Sequence, residues 1–195
     1  MSISATTSST KVLRTVKVAD REVVLRYMEP DDATEMLRFA RSVSPQDLLF
    51  LPTDITEVEG LNDWTDGFVV GTTGTILAID DGKIVGFSSV TRSQPRWTRH
   101  IAELQVVVGE SARGHHLGHH LTAEAFRIAV DLGVTRVMAQ MTMDQLAAIR
   151  TFRELGFTPM AILHDQVVDD DGAAYDLILM YQEVSSFGDT LAHLD

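Results

Sequence analysis

The residues most able to do chemistry lie in one continuous stretch. The β-branched run Val106-Val107-Val108 stops at Gly109, a short polar loop follows, and a helix begins within Arg113-Gly114-His115-His116-Leu117-Gly118-His119. A strand that runs through a glycine-containing loop into a helix leaves backbone N–H groups without partners, and the positive end of the helix dipole points at the same place. That is an anion site, and its size suits a pyrophosphate. Arg113 adds a fixed positive charge. A cation at a helix N-terminus is poorly placed unless an anion stands between the two. The four histidines His115, His116, His119 and His120 raise a second chemistry, because i, i+4 pairs on a helix can ligate a divalent ion. No Asp, Glu or Cys stands beside them, and an anion would compete for the same site. Phosphate contact and a solvated face are therefore expected, with no metal.

The strand leading into the loop, residues 101–108, places Ala102, Leu104, Val106 and Val108 on one face and Glu103 and Gln105 on the other. A partly buried Glu103 would have its proton affinity raised toward neutrality, which suits proton abstraction. The alternative is an exposed glutamate on a half-solvated strand. Gln105 either binds a substrate or faces water. Asp169-Asp170-Asp171-Gly172 lacks the alternating ligands and distal glutamate of a calcium loop and is expected to be a hairpin turn. Trp64 and Trp97 stand in or beside polar loops. Packing is expected for both, with lining of an acceptor pocket as the alternative.

These groups must be positioned by an α/β scaffold. Residues 23–27 read as a strand, and Pro30-Asp31-Asp32 opens a helix with its apolar face at Met36, Leu37 and Ala40. Residues 44–74, punctuated by Pro and Gly, predict one short helix and a surface loop. A hairpin over 76–90 turns at Asp81-Gly82. The helix after the loop carries Leu117, Leu121, Ala125, Ile128 and Leu132 and is capped by Gly133. A strand over 134–141, a helix with the stripe Leu146, Ile149, Phe152 and Leu155, and a closing hairpin over 161–181 complete the order. The chain has 195 residues, enough for a single domain with a substantial core. The boundaries predicted are a disordered tail over 1–18, one domain over 19–184 and a C-terminal tail over 185–195. With no cysteine there are no disulfides, thiolate metal sites or cysteine nucleophile. A net charge of −12 argues against a nucleic-acid surface. It is compatible with an amine partner, or with solubility alone. No apolar run is long enough to cross a bilayer, and the Ser/Thr-rich start lacks the apolar core of a secretory signal, so a cytoplasmic location is expected.

The element order and three landmarks resemble the GNAT superfamily of acyl-CoA N-acyltransferases from about residue 23 to 184. Arg113-Gly114-His115-His116-Leu117-Gly118 is similar to the family's Gln/Arg-x-x-Gly-x-Gly/Ala loop. Gln145, Ala148, Phe152 and Leu155-Gly156-Phe157 are similar to its Asn-x-x-Ala, aromatic and Leu-Gly-Phe landmarks. A closing β-hairpin is the third. The resemblance implies a mixed, mainly antiparallel central sheet with helices on both faces. It also implies acetyl-CoA as co-substrate, with its arm hydrogen-bonded to Val106 and Val108 in a gap between two splayed strands. The implied cofactor-binding set is Val106, Val107, Val108, Arg113, Gly114, His115, His116, Leu117, Gly118, His119, Gln145 and Phe152.

Glu103 falls where a glutamate acts as base in several members, and the implied reaction is direct attack of a primary amine, of a small molecule or a protein, on the thioester. Dimers are common in the family, so a homodimer is compatible with it. Two positions depart from the pattern. His116 replaces the middle glycine of the loop, where the backbone normally approaches the ligand closely. Phe152 stands where many members have a tyrosine thought to protonate the leaving thiolate. An acyl-CoA-binding or regulatory module with weakened chemistry is the alternative reading, and a third uses the fold alone as an interaction protein.

Overall fold

The computed structural model describes residues 12–51, 53–169 and 171–187, without the side chains of 68 and 69. Residues 1–11 and 188–195, the outer parts of the tails predicted over 1–18 and 185–195, and Asp170 of the closing turn lie outside the described residues. The elements are β1 (Val12–Val18), β2 (Arg21–Tyr27), α1 (Ala33–Ala40), α2 (Pro45–Leu48), α3 (Val58–Val69), β3 (Thr73–Asp80), β4 (Lys83–Arg92), β5 (Ile101–Val108), α4 (Leu117–Asp131), β6 (Arg136–Thr142), α5 (Leu146–Glu154), β7 (Thr158–Val168) and β8 (Ala174–Glu183). The strands form one sheet in the order β1-β2-β3-β4-β5-β6-β8-β7. Every pairing is antiparallel except β5 with β6. The fold is thus the mixed, mainly antiparallel α/β sheet expected.

Two cores form, one on each face. On one, Leu117, Leu121, Ala125 and Ile128 of α4 pack with Ile76, Val90, Leu104 and Val137, and Phe152 and Leu155 of the α5 region join them. Leu117 and Leu121 are essentially inaccessible, and burying each contributes about 1.5–3 kcal/mol. On the other, Met36 and Phe39 of α1 and Leu61 and Trp64 of α3 cover Leu77, Phe87 and Val107. Among the described residues the α1–α3 cluster reaches β5 at Val107 and includes no residue of β6 or β8. There Met138, Gln140, Leu179 and Tyr181 are only half-buried beside Glu103.

Four expectations need correction. Residues 12–18, assigned to the tail, form β1, paired with β2 around a turn whose Ala19 sits at φ 54°. Phe187, also assigned to a tail, is buried and stacks on Phe126 at 3.6 Å between ring centroids. Residues 44–74 hold two helices rather than one. The first, α2, starts at Ser44, whose hydroxyl accepts the Asp47 N–H. Leu146 is not part of the α5 stripe: it is 68% exposed at the helix's first residue, while Ile149, Phe152 and Leu155 are buried.

Candidate active site

The β5–β6 pairing is short. It matches Ile101, Ala102 and Glu103 with Arg136, Val137 and Met138 and then stops. Beyond that point β5 continues only with β4, and β6 only with β8. The two central strands therefore part, and a narrow cleft of about 60 Å³ opens between them. Its walls include Gln105 and Val106 of β5, Gln140 of β6, Gln145 and Phe152 of the α5 side, and Leu51 beyond α2. Gly109 N–H donates to the Val85 carbonyl of β4 at 2.9 Å. Backbone direction alternates along a strand, so the Val106 and Val108 amides point the other way, into the gap. Val107 directs its amide to β4 and its side chain into the α1–α3 core.

At the end of β5 the chain makes a 3₁₀ turn over Glu110–Ala112 and enters α4. Gly114 (φ 77°) and His116 (φ 62°) are both left-handed, and His116 is the N-cap without a side-chain cap bond. The first α4 amides thus have no intrahelical acceptor and no capping side chain. Leu117 can offer only its amide, since its side chain is core. At Gly118 a Cβ would meet nothing nearer than 3.9 Å, so an alanine would fit there.

Arg113 Nε donates to the Val108 carbonyl at 3.0 Å, and a terminal guanidinium nitrogen donates to Asp47 Oδ2 of α2 at 2.6 Å. A second tie crosses the same mouth, from Gln46 Nε2 to Asp144 Oδ2 at 2.8 Å. The four histidines diverge. His115 is exposed, His116 meets His119 edge-on, His119 Nε2 lies 3.1 Å from Glu154, and His120 Nδ1 lies 2.7 Å from Arg14. Among the described residues no three metal-ligating side chains come together.

Glu103 is half-buried at the last matched pair of the short parallel ladder, where the strands begin to part. Gln140 Nε2 donates to its Oε1 at 2.9 Å. Burial pushes its carboxyl above the usual carboxylate range, and the side-chain amides of Gln105 and Gln140 oppose that shift without cancelling it. Glu103 can therefore hold or release a proton nearer neutrality than an exposed glutamate.

The structure puts Val106 in one wall of the cleft and ties Arg113 to Val108 at the end of the same strand, with Gly114, His116, Leu117 and Gly118 in the segment that follows. Gln145 and Phe152 stand on the cleft's opposite wall. Gln145 Oε1 accepts the Thr142 N–H, and the Phe152 ring packs edge-on against Phe157 at 4.8 Å. His115 is exposed and His119 half-buried in the segment that carries Gly114 to Gly118. Two residues were missed. Gln140 shares the Glu103 face only because of the parallel register, and Asp47 meets Arg113 across 66 positions of sequence. Neither has a local signal. Trp64 packs on Phe87 and donates to Ser89 Oγ, as expected, whereas Trp97 is 79% exposed and does not pack.

Residues 36–157 match the model of the acetyltransferase (GNAT) family. YwnH of Bacillus subtilis, to which phosphinothricin acetyltransferase activity is provisionally ascribed, is 24% identical over 84% of this chain and 100% of its own. The mycothiol acetyltransferase of Mycobacteroides abscessus is 30% identical over 74% of this chain, which spans about half (48%) of that relative's length. A GNAT superfamily phosphinothricin acetyltransferase of Sinorhizobium meliloti, solved in complex with acetyl-CoA, shares the fold at a TM-score of 0.69. It is 16% identical, over 83% of this chain and 88% of its own.

Proposed function

Because the chain belongs to the GNAT acetyltransferase family and is an acetyl-CoA-dependent N-acetyltransferase, we propose that it acetylates a primary amine by direct attack, with Glu103 as the base. Acetyl-CoA, when bound, supplies the acyl group as a thioester whose thiol has an ordinary pKa of about 8.5 and so leaves without obligatory protonation. Phe152 in place of a proton donor then slows the reaction rather than forbidding it. The donor set suits such a molecule. The unpaired Val106 and Val108 amides face the gap, and the amides from Gly114 to Gly118 with Arg113 offer a diphosphate cradle. Val107, Gln145 and Phe152 wall the arm, and His115, His116 and His119 border the cradle. Glu103 takes a proton from the acceptor ammonium, directly or through one water, and leaves the neutral amine that can attack. A main-chain N–H of the β5 segment past Glu103 is available to an oxygen that gains negative charge.

The observation that carries this reading is Glu103 itself, half-buried where the strands part and with a raised proton affinity. Glu103→Gln is expected to lower turnover by about 10²–10⁴-fold while leaving acetyl-CoA affinity nearly unchanged in calorimetry. The parent's rate should fall as pH drops through the raised Glu103 pKa, and the variant should lose that limb. A raised carboxyl favours the folded state below its unfolded pKa, and the advantage is lost as pH rises, so the variant should also melt higher at neutral pH. Turnover equal to the parent's would remove Glu103 from the mechanism.

A second reading is favoured by His116 and Phe152: an acyl-CoA-binding module with weakened chemistry. Acetyl-CoA binding without thiol release across an amine panel would select it. The reading further assigns the protein to the cytoplasm, as a monomer or homodimer acting without nucleic acid or a membrane. Among the described residues no helix is long and apolar enough to cross a bilayer.

A further inference from the structure

The β4–β5 hairpin, residues 93–100, is absorbed by nothing above. It opens next to the catalytic strand: Ser93 N–H donates to the Ile101 carbonyl, and Glu103 lies two residues further along. Its shape is fixed from within. Thr98 N–H donates to the Pro95 carbonyl, Ile101 N–H to the Thr98 carbonyl, and the Ser93 and Thr98 hydroxyls meet at 2.6 Å. Its base is tied down by the His100 carbonyl, which accepts the N–H groups of Thr135 and Arg136.

This ordered turn presents Trp97, 79% exposed, between Arg96 and Arg99, with His100 beside them, all exposed. Among the described residues the side chains of Arg96, Arg99 and His100 have no hydrogen-bond or ion-pair partner. No acidic residue occurs between Asp81 and Glu103, although the chain as a whole carries −12. An exposed aromatic flanked by unpaired arginines is the composition of a binding hot spot. The charge pattern says for what. A long polyanion or an anionic membrane would meet the repulsion of the whole acidic molecule, whereas a short acidic segment meets only the local patch.

We propose that this hairpin docks an acidic segment of a polypeptide acceptor, with Arg96 and Arg99 pairing with its carboxylates and Trp97 packing along its chain. The proposal rests on the acetyltransferase reading and adds its substrate class. Ile101 to Glu103 alone spans roughly 7 Å of strand, and the hairpin tip lies beyond it. An acceptor that touches both must be extended, with its amine several residues from the acidic group.

The test is a steady-state comparison with the full chain and acetyl-CoA. The probes are short peptides of equal length with one lysine and a free N-terminus, carrying a run of glutamates or of glutamines several residues away. A small uncharged primary amine is the control. The acidic peptide is expected to show a KM about tenfold below the neutral one, and the gap should close as salt is raised. The double variant Arg96→Glu/Arg99→Glu should abolish the gap, and Trp97→Ala should raise KM for both peptides, with turnover of the small amine unchanged in each. Equal KM values for the two peptides, while the small amine is still acetylated, overturn the docking site and leave the enzyme reading standing. If no amine is acetylated, quenching of Trp97 fluorescence by the acidic peptide, lost in the double variant, still supports the site. No quenching overturns it, and so does tighter binding of single-stranded RNA or phosphatidylserine vesicles than of the peptide.

Discussion

The two ends of β5 both carry arginines in an acidic molecule, and they are built in opposite ways. At the C-terminal end Arg113 is fixed twice, by the Val108 carbonyl and by Asp47. At the N-terminal end Arg96 and Arg99 have no side-chain partner among the described residues and stand on a turn held by its own hydrogen bonds. A guanidinium held through Nε by the Val108 carbonyl, beside amides without partners among the described residues, is preorganised for one anion in one place. Free guanidiniums around an indole tolerate carboxylates at varied positions. The difference suits a cofactor that never changes at one end and an acceptor to be selected at the other.

The sharpest way to separate the ends is Arg113→Ala. Removing a charge-assisted contact costs about 1.5–3 kcal/mol, so acetyl-CoA affinity should fall by roughly ten- to a hundredfold. The preference for acidic over neutral peptides should stay as it was. Calorimetry with acetyl-CoA and the peptide KM ratio check the two halves. If Arg96→Glu/Arg99→Glu weakens acetyl-CoA binding as much as Arg113→Ala, the ends are not distinct and the comparison fails.

The fixed end was legible in the sequence because it is contiguous: strand, loop and helix follow one another, and Gly114 marks a left-handed step in the loop. What escaped depends on distant partners. β1 was missed because its turn uses Ala19 at φ 54° where a glycine or asparagine would have signalled it. Only one of the two helices within 44–74 was expected because Gly60 and Gly67, both inside α3, read as breaks. Gly60 is in the helix because a Cβ there would lie 2.1 Å from the Asp54 carbonyl oxygen, a contact set by the preceding turn. Gln140 beside Glu103 and Asp47 beside Arg113 exist only once β6 and α2 are in place. The half-buried face of β6 and β8 beside Glu103 was invisible for the same reason, since it forms only when β6 meets β5 and β8 in register.

Asp47→Asn gives a smaller effect of opposite sign. Asp47 occupies the guanidinium that a diphosphate would need, so the variant should bind acetyl-CoA a few-fold more tightly. The pair is half in water, with Arg113 49% and Asp47 24% exposed, so it contributes no more than about 0–1 kcal/mol to stability. The Ser44 hydroxyl still caps the residue 47 N–H. The melting temperature should therefore barely move. A large loss of stability would mean that α2 is held in place by this ion pair rather than by Leu48 and Leu51 packing against the α1–α3 core.

The smallest effect sharpens the cofactor end most. His116 holds φ 62° with a Cβ, a conformation that costs an L-residue about 1–2 kcal/mol relative to the right-handed helix. Glycine removes that strain but gives back about 0.4–1 kcal/mol through the greater freedom of its unfolded chain. The edge contact with His119 is also lost. His116→Gly should thus change stability by less than about 1 kcal/mol, a shift of only a few degrees in Tm for a chain of this size. Its effect on acetyl-CoA is the informative one. If the imidazole crowds the amides of α4, the variant binds more tightly and turns over faster. If it contributes a phosphate contact, affinity falls. Measured beside Asp47→Asn, the two signs together tell whether the fixed end of β5 is restrained by its own side chains or completed by them.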